Sequence, residues 1–522
     1  PPAENTAPAA PPINANRAAL PVENRGLLTI AVMGASIVQF LDATIANVAI
    51  PHMQTSLGAT FDSVTWVLTS FIIASAVATP LTGWLADRVG SRTLFLWAVG
   101  GFLLTSMLCG IATNLTEMVL FRIAQGVFAA FIGPLSQTIM LDINRPSDHA
   151  RAMAIWGMGV MVAPISGPMI GGWLTESYSW RWVFYINIPI GIPTLIILWW
   201  LLPSRPIARR RLDYTGYALF AIGLAALQLV LDRGQGEDWF QSPEIIIEAI
   251  VAASALWMFI VHILHAREPL FPAALVRNSN FATALGFMAL MGVVLIALAA
   301  LLPPMMQRLF GYSVLDTGLL MAPRGVGVLL AMIIASRSIA IVGPRVLVGA
   351  GFTIVALSLW HMTGWTLEMP WQEMAWTGLA QGLGLGLCFM PLSVIAFATV
   401  PVRHRTDGSG LLNLMRSIGA SAGISLITTM LARNIQTSHA DLVGWITPYN
   451  MPAIDLSSAD RLGEYGQGVL LTVDGLINRQ AAMIAYLDDF WMLAILVASF
   501  VPLVLLLKSP KLGAGAPPPP ME

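Results

Sequence analysis

Apolar runs of about 20 residues, separated by short polar segments, fill almost the whole chain. A helix of that length crosses the hydrocarbon core of a bilayer, which is about 30 Å thick. The pattern predicts fourteen such helices, near 26–50, 63–85, 93–112, 116–141, 151–174, 180–202, 213–232, 244–265, 280–303, 317–337, 345–364, 372–400, 409–432 and 482–507. We therefore expect an all-α polytopic membrane protein.

The composition excludes several other classes of protein. Hydrophobic residues make up 56% of the 522 residues and charged residues 11%, whereas a soluble domain carries about 25% charged residues. A soluble enzyme, a disordered chain and a coiled coil are excluded. The net charge of −1 gives no indication of nucleic-acid binding. Because Cys109 and Cys388 lie in apolar runs, we expect neither a disulfide framework nor a metal site.

Arginine and lysine are distributed unevenly between the two sides of the predicted bundle. With the N-terminus inside, 18 of the 27 basic residues fall in cytoplasmic segments, six fall outside and three lie within spans. This asymmetry follows the positive-inside rule. It predicts a multi-pass protein with both termini in the cytoplasm, which requires an even number of spans.

Three short motifs of the first half recur in the second half, at offsets of 253, 256 and 257 residues. They pair 89–92 with 342–345, 124–126 with 380–382, and 134–136 with 391–393. Such repeats are common in transporters. They predict a disordered tail at 1–24, a six-helix half at 25–202, a linker with two inserted helices at 203–279, a second six-helix half at 280–508 with an external loop at 433–481, and a disordered tail at 509–522.

Asp42 places a carboxylate within the first predicted span. A charge at the centre of a bilayer costs about 2.5–3.5 kcal/mol on insertion scales, so such a residue usually faces an interior cavity. A desolvated carboxyl can be neutralised and recharged, and we therefore expect Asp42 to carry the coupling proton. The alternative is a hydrogen-bond acceptor that only holds two helices together.

Arg122 lies in the fourth predicted span and shares a helix face with Gln125 and Gly126. A guanidinium is not deprotonated in proteins, so we expect Arg122 to tune a nearby carboxylate. The matching position of the second half is Gly378. Proton coupling is therefore expected in the first half, with a structural arginine bonded to backbone carbonyls as the alternative.

The segment GWLADRVGSR at 83–92 resembles the loop signature of the major facilitator superfamily, and the run 120–126 around Arg122 resembles the superfamily's fourth-span motif. The run 39–51 around Asp42 resembles the first-span motif of its 14-span drug:proton antiporter branch. The resemblance implies the major facilitator fold, with two six-helix halves plus two inserted central helices. It also implies a conformational gate in this loop, for which ordinary loop solubility is the alternative. The residues of the gate are Gly83, Asp87, Arg88, Gly90 and Arg92.

The fifth predicted span resembles, through Gly167, Pro168, Gly171 and Gly172, the antiporter signature that separates exporters from importers within the superfamily. Gly167 and Gly171 form a small-xxx-small face that allows close helix approach, and Pro168 is expected to bend the span. Ala163 stands where the family pattern has glycine. Ordinary packing of a membrane helix is the alternative explanation.

Other polar residues within the spans are candidates for a substrate cavity. The tryptophan-rich start of the sixth span, which contains Asn187, resembles the 14-span branch in particular. The polar candidates in the second half could instead lie near helix ends and extend their side chains to the membrane surface. The cavity candidates are Gln39, Asn47, Gln125, Asn187, Arg324, Asn413 and Arg416.

The last predicted span begins with a segment that resembles multidrug exporters of the EmrB type. Helix-compatible sequence runs from about 468 to 507, roughly 60 Å, so its first part should protrude beyond the membrane. The resemblance implies a periplasmic adaptor (an EmrA-type membrane fusion protein) and an outer-membrane channel as partners, docked on this protruding hairpin. The alternative is a long loop without a partner.

Together these features predict a proton-coupled antiporter that exports small hydrophobic compounds across the bacterial inner membrane. The proton gradient would supply the energy, without a cofactor. We expect no enzyme, because the sequence has no catalytic constellation. The alternatives are a dedicated exporter of one metabolite (a fatty acid, siderophore or antibiotic) and a receptor or scaffold that does not transport.

Overall fold

The computed structural model describes residues 18–204, 207, 210–266, 268–445 and 464–508. Within these residues the chain is helical and contains no strand. Residues 1–17 and 509–522 of the two predicted tails lie outside the described part.

The first half of the chain forms nine helices. They are α1 (Arg25–Ser56), α2 (Phe61–Val64), α3 (Trp66–Ala78), α4 (Thr82–Val89), α5 (Ser91–Ile111), α6 (Leu115–Asp142), α7 (His149–Ser177), α8 (Trp182–Tyr185) and α9 (Asn187–Leu201). Short 3₁₀ turns at Thr79–Leu81 and Pro146–Asp148 join α3 to α4 and lead into α7.

The inserted pair is α10 (Tyr214–Arg233) and α11 (Pro243–His265), with a 3₁₀ turn at Trp239–Gln241 between them. The short α12 (Ala273–Val276) leads into the second half. That half contains α13 (Ser279–Arg308), α14 (Val314–Val342), α15 (Pro344–Met362), α16 (Trp371–Ala398), α17 (Arg405–Trp445) and α18 (Glu464–Phe500), with 3₁₀ turns at Val402–His404 and Pro502–Leu506.

By length and composition, 13 helices of the described part could cross a membrane, or 14 if α3 and α4 form one bent span. The bend between these two helices is 60°. It falls at a 3₁₀ turn that contains Pro80, and proline removes a backbone donor from the helical ladder. The predicted fold class is confirmed, and the fourteen predicted spans correspond to the count in which α3 and α4 form one bent span.

The two halves use the same helix pairings. In the first half α1 packs on α7 and α3 packs on α6, and in the second half α13 packs on α17 and α14 packs on α16. The repeated loop also has the same backbone, because Gly90 (φ 90°) and Gly343 (φ 86°) both take a left-handed conformation that favours glycine. The halves meet along α7–α14 and α6–α17.

The inserted helices lie beside this pair of bundles. α10 packs on α11, on α3 of the first half and on α17 of the second half. A hydrogen bond from Thr69 to Asp232 joins α3 to α10. The insertion therefore contacts both halves at one side of their junction.

The two longest helices extend the bundle at one end. α17 has 41 residues and α18 has 37, which at 1.5 Å per residue is roughly 55–60 Å. His439 of α17 lies 3.2 Å from Asp474 of α18. The described parts of the predicted external loop, 433–445 and 464–481, are thus helical. We call the end with this extension the outer end and the end with Gly90 and Arg405 the inner end.

Candidate functional site

The α1 helix brings Asp42 into the interior of the first half, where its side chain is fully buried. Arg122 Nη1 donates to Asp42 Oδ2 over 2.7 Å. Gln125 Nε2 and Asn187 Nδ2 donate to Asp42 Oδ1 over 3.0 and 2.8 Å. Three helices, α1, α6 and α9, are therefore joined through one carboxylate.

Arg122 is equally enclosed. Its Nε donates to the carbonyl of Val67 over 3.0 Å, and its Nη1 also donates to Gln125 Oε1 over 2.8 Å. Its guanidinium carbon lies 4.2 Å from the centre of the Phe71 ring, where cation–π attraction favours a desolvated cation. The ion pair and its hydrogen bonds compensate for the burial of both charges.

In this conformation Asp42 faces neither lipid nor a solvent-filled cavity, since the exposed fractions of Asp42 and Arg122 are both 0%. The expectation of a wet cavity at Asp42 is thus wrong for this conformation, because Arg122, Gln125 and Asn187 fill the space around the carboxylate. Proton exchange at Asp42 requires a conformation in which this cluster opens. The coupling roles of Asp42 and Arg122 stay predictions.

Sequence reasoning missed two members of the cluster, Ser106 and Cys109. Asn187 Nδ2 also approaches Ser106 Oγ at 2.9 Å, and Cys109 Sγ lies 3.5 Å from Gln125 Oε1. Both belong to α5, and both are buried. Their spacing of three residues on one apolar helix was the available signal, since such residues share a face.

Three other cavity candidates gather where the halves meet. A Cβ placed on Gly133 of α6 would lie 3.4 Å from Gln39 and 3.6 Å from Asn413. Arg416 Nη2 donates to Asn413 Oδ1 over 3.2 Å, and its guanidinium lies 4.9 Å from the centre of the Phe40 ring. This central cluster joins α1, α6 and α17.

The remaining two cavity candidates lie elsewhere. Asn47 is exposed, and its amide donates to the carbonyl of Ala43 on its own helix over 3.4 Å. It lies outside the buried Asp42 cluster, and its role as a cavity residue stays a prediction. Arg324 is buried within the second half, between α14 and α16.

The antiporter motif lines the contact between α7 and α1. A Cβ on Gly167 would lie 2.3 Å from Thr44 Oγ1, and one on Gly171 would lie 2.7 Å from Ile45 Cγ1. Gly172 is buried, and the side chain of Pro168 lies outside the described part. The glycine face thus packs directly on the α1 residues that follow Asp42.

The predicted gate residues lie at the inner end, beside Asp407 of α17. A Cβ on Gly83 would lie 1.8 Å from Asp407 Oδ1. Arg210 of the linker donates to both oxygens of Asp407, over 2.9 and 3.0 Å. Burial lowers the pKa of Arg210, but the hydrogen bonds and charge of Asp407, together with the charge of Asp87, raise it above its ordinary value. The linker guanidinium therefore remains charged and clasps the two halves.

Arg88 and Arg92, two other gate residues, make contacts within the first half. Arg88 lies over the Trp84 ring at 5.1 Å, and Arg92 Nη2 donates to the carbonyl of Trp199 over 2.6 Å. A further contact between the halves joins Arg405 Nη1 to Asp142 Oδ1 over 3.4 Å. The inner ends of the halves are thus held together in this conformation.

Two similar helical halves, with a buried charge cluster in one and a clasp between them, define a transport protein of the membrane. The chain belongs to the major facilitator superfamily, whose sequence profile matches residues 32–434. Within it, the chain is 36% identical to the multidrug export protein EmrB of Escherichia coli over 94% of this chain and 96% of that protein. Its recognition as an EmrB-type member is confirmed.

Two further comparisons agree with this assignment. The chain is 36% identical to the fatty acid resistance protein FarB of Neisseria gonorrhoeae, over 92% of this chain and 96% of that protein. The crystal structure of the human organic anion transporter MFSD10 superposes with a TM-score of 0.56 at 14% identity, covering 90% of this chain and 99% of that one. The latter likeness shows the fold alone.

Proposed function

We propose that the protein is a proton-driven antiporter that exports hydrophobic compounds from the cytoplasm or the inner leaflet. The observation that supports this best is the buried carboxylate of Asp42, which accepts hydrogen bonds from Arg122, Gln125 and Asn187. An intramembrane carboxylate with a basic partner is typical of proton relays in transporters. No cofactor is required, because the proton gradient supplies the energy.

Protonation of Asp42 is the step that changes the packing of the first half. A neutral carboxyl attracts Arg122 less strongly, and the three side chains lose their anionic acceptor. Thr44 and Ile45, which follow on α1, contact the glycines of α7. A change at Asp42 therefore reaches the α1–α7 contact and, through α7, the α14 helix of the other half.

The energy available from protons is sufficient for concentrative export. One charge that crosses 100 mV releases about 2.3 kcal/mol. This corresponds to a concentration ratio of some tens for each exchanged proton.

The test is Asp42→Asn in the full-length protein, reconstituted in proteoliposomes with a pH-sensitive dye inside. We expect hydrophobic cations such as ethidium to bind but to release no protons. As a control, Asp232→Asn removes another carboxylate, which lies in the last turn of α10 and is bonded to Thr69 outside the cluster, and it should retain the proton signal. Proton release by Asp42→Asn at the rate of the unmodified protein would refute the assignment.

Asparagine leaves the buried Arg122 without its anion, which lowers stability. A double variant, Asp42→Asn with Arg122→Gln, removes both charges and keeps hydrogen-bonding groups at both positions. It should fold when the single variant does not, and it should equally lack coupled transport.

We further propose the bacterial inner membrane as the location, with both termini in the cytoplasm, and a periplasmic adaptor with an outer-membrane channel as partners. The helical extension of α17 and α18 supports the proposal of an adaptor, because it offers the adaptor a surface beyond the bilayer. Deletion of residues 436–477 with a short linker should abolish export from cells but leave proton-coupled transport in proteoliposomes. Unchanged export from cells would contradict the adaptor.

The second candidate is a dedicated exporter of one metabolite, such as a fatty acid, and the similarity to FarB favours it. The two functions differ in breadth. Growth of a sensitive strain that expresses the protein, measured on cationic, neutral and acidic hydrophobic compounds, distinguishes them, because a dedicated exporter protects against a single chemical class.

A further inference from the structure

A small cavity lies within the second half, between α13, α14 and α16 near the outer end. Its volume of about 10 Å³ admits roughly one water-sized group. Its lining includes three long polar side chains: Arg324 of α14, Gln381 of α16 and Trp365, which follows α15. The cavity is separate from the Asp42 cluster and from the central cluster.

Each of these three side chains is more than nine-tenths buried and has a polar atom without a hydrogen-bond partner among the described residues. The exposed fractions are 6% for Arg324, 1% for Gln381 and 5% for Trp365. The unpartnered atoms are Arg324 Nη2, Gln381 Oε1 and Trp365 Nε1. A buried guanidinium without an anion is costly. These three polar groups therefore leave room for a hydrogen-bonding ligand.

The cavity occupies the place in the second half that the Asp42 cluster occupies in the first. Arg324 lies at the offset of 253 residues from Phe71, and Gln381 at the offset of 256 from Gln125. The backbones agree with this alignment. A Cβ on Gly126 would lie 2.5 Å from the carbonyl oxygen of Phe71, and one on Gly382 would lie 1.9 Å from that of Arg324.

The buried arginine lies on non-equivalent helices in the two halves. In the first half Arg122 belongs to α6 and faces Phe71 of α3. In the second half α14 carries Arg324 at the position of Phe71, while the position of Arg122 is Gly378. The glutamine is kept, but α13, the counterpart of α1, carries no acidic residue. The second site therefore has the cation and the amide of the first site and lacks its carboxylate.

We propose that this cavity binds the carboxylate group of an amphipathic organic acid, which takes the place that Asp42 has in the first half. Arg324 Nη2 and Trp365 Nε1 donate to the carboxylate, and rotation of the Gln381 amide presents a third donor. This assignment rests on the proposed export function and specifies a class of substrate.

The apolar wall of the cavity suits the rest of such a molecule. Four methionines line it: Met306, Met321, Met362 and Met374. Methionine is flexible and polarisable, and it adapts to ligands of different shape. The cavity of about 10 Å³ holds one water-sized group, so these side chains must rearrange to admit both the carboxylate and the alkyl or aryl tail.

The experiment uses the purified full-length protein in nanodiscs without a proton gradient, with octanoate as the probe and octanol as its neutral counterpart. Fluorine-19 spectra of protein labelled with 5-fluorotryptophan, with Trp365 assigned through Trp365→Phe, report on the cavity itself. We expect octanoate, but not octanol, to shift the Trp365 signal. Arg324→Met should weaken octanoate binding by at least about tenfold, since a charge-assisted hydrogen bond is lost.

Arg308→Gln is the matched control, because Arg308 is an exposed arginine at the outer end of the same half. It should bind octanoate like the unmodified protein. Arg324→Met removes an uncompensated buried charge and fills the space with another methionine, so its melting temperature should be equal or higher. If it fails to fold, the response of Trp365 to octanoate and octanol in the unmodified protein still decides.

Three results would overturn the proposal: equal octanoate binding by Arg324→Met, a Trp365 signal that octanol shifts equally, and saturation by chloride that octanoate cannot displace. The last result would assign the cavity to an inorganic anion. Because binding is measured without a gradient, its failure is distinguishable from failure of the proton coupling at Asp42.

Discussion

Two aspartates buried in the two halves have opposite surroundings. Asp42 accepts three hydrogen bonds, one of them from a guanidinium. Asp489 of α18 is also buried, at 1% exposure, but neither of its carboxylate oxygens has a hydrogen-bond partner among the described residues. An ionised carboxylate is tolerated in the first setting and strongly disfavoured in the second.

Asp489→Asn should therefore change stability little, within about 0.5 kcal/mol, because a neutral amide of the same size replaces a group that has no bond to lose. Asp42→Asn should cost about 3–5 kcal/mol, because it leaves Arg122 buried without an anion. Unfolding of the two variants in detergent, followed by tryptophan fluorescence, measures the difference. Equal costs would show that Asp489 has a partner of its own.

At the scale of the helix pair, glycine determines how closely α1 and α7 approach. Gly167 and Gly171 lie one turn apart on α7, against Thr44 and Ile45. This contact places α7 next to α1, the helix that carries Asp42. Close packing of this kind tolerates little added volume.

Gly171→Ala should destabilise the protein by about 1–3 kcal/mol, because the added methyl group would overlap Ile45. Gly286→Ala is the matched control in α13, where a Cβ has nothing within 4 Å. Alanine is the better helix former, so the control should be neutral or stabilising by up to about 1 kcal/mol. Melting temperatures in detergent check both, and an unchanged Gly171→Ala variant would show that the two helices are not in close contact.

Across the whole molecule, the linker holds the halves together. Arg210 lies in the segment between the first half and the inserted helices, and it bonds Asp407 of the second half beside Gly83 of the first. The clasp therefore consists of three separate parts of the chain. Its opening is a movement of the two halves relative to each other.

Arg210→Gln should favour conformations with separated inner ends, by about tenfold or more, since two charge-assisted hydrogen bonds are lost. Spin labels at positions 145 and 403, both exposed at the inner end, report this as longer distances in pulsed electron resonance. The native cysteines are buried. Arg181→Gln, which removes a bond to the Ala112 carbonyl at the other end, should leave the distances unchanged, and the idea fails if both variants behave alike.

The sequence was sufficient to predict the spans and which residues share a face of one helix, because both depend on periodicity within one segment. The shared face of Arg122 and Gln125 is an example. It could not pair Asn187 with Asp42, since 145 residues separate them and the contact depends on how α9 packs on α1. Nor could it show that Asn47 is exposed while Asp42 is buried, since position within a span does not determine which side of a helix packs on its neighbours.

The α17 helix runs without a break from Arg405 to Trp445, so Asp407 and His439 belong to one stiff rod of helix. The first lies in the clasp at the inner end of the bundle and the second in the extension at the outer end. Such a rod transmits tilt from end to end. A partner that binds the outer end of α17 therefore restricts how far the inner end can tilt. Movement of the inner end in turn alters the binding of that partner.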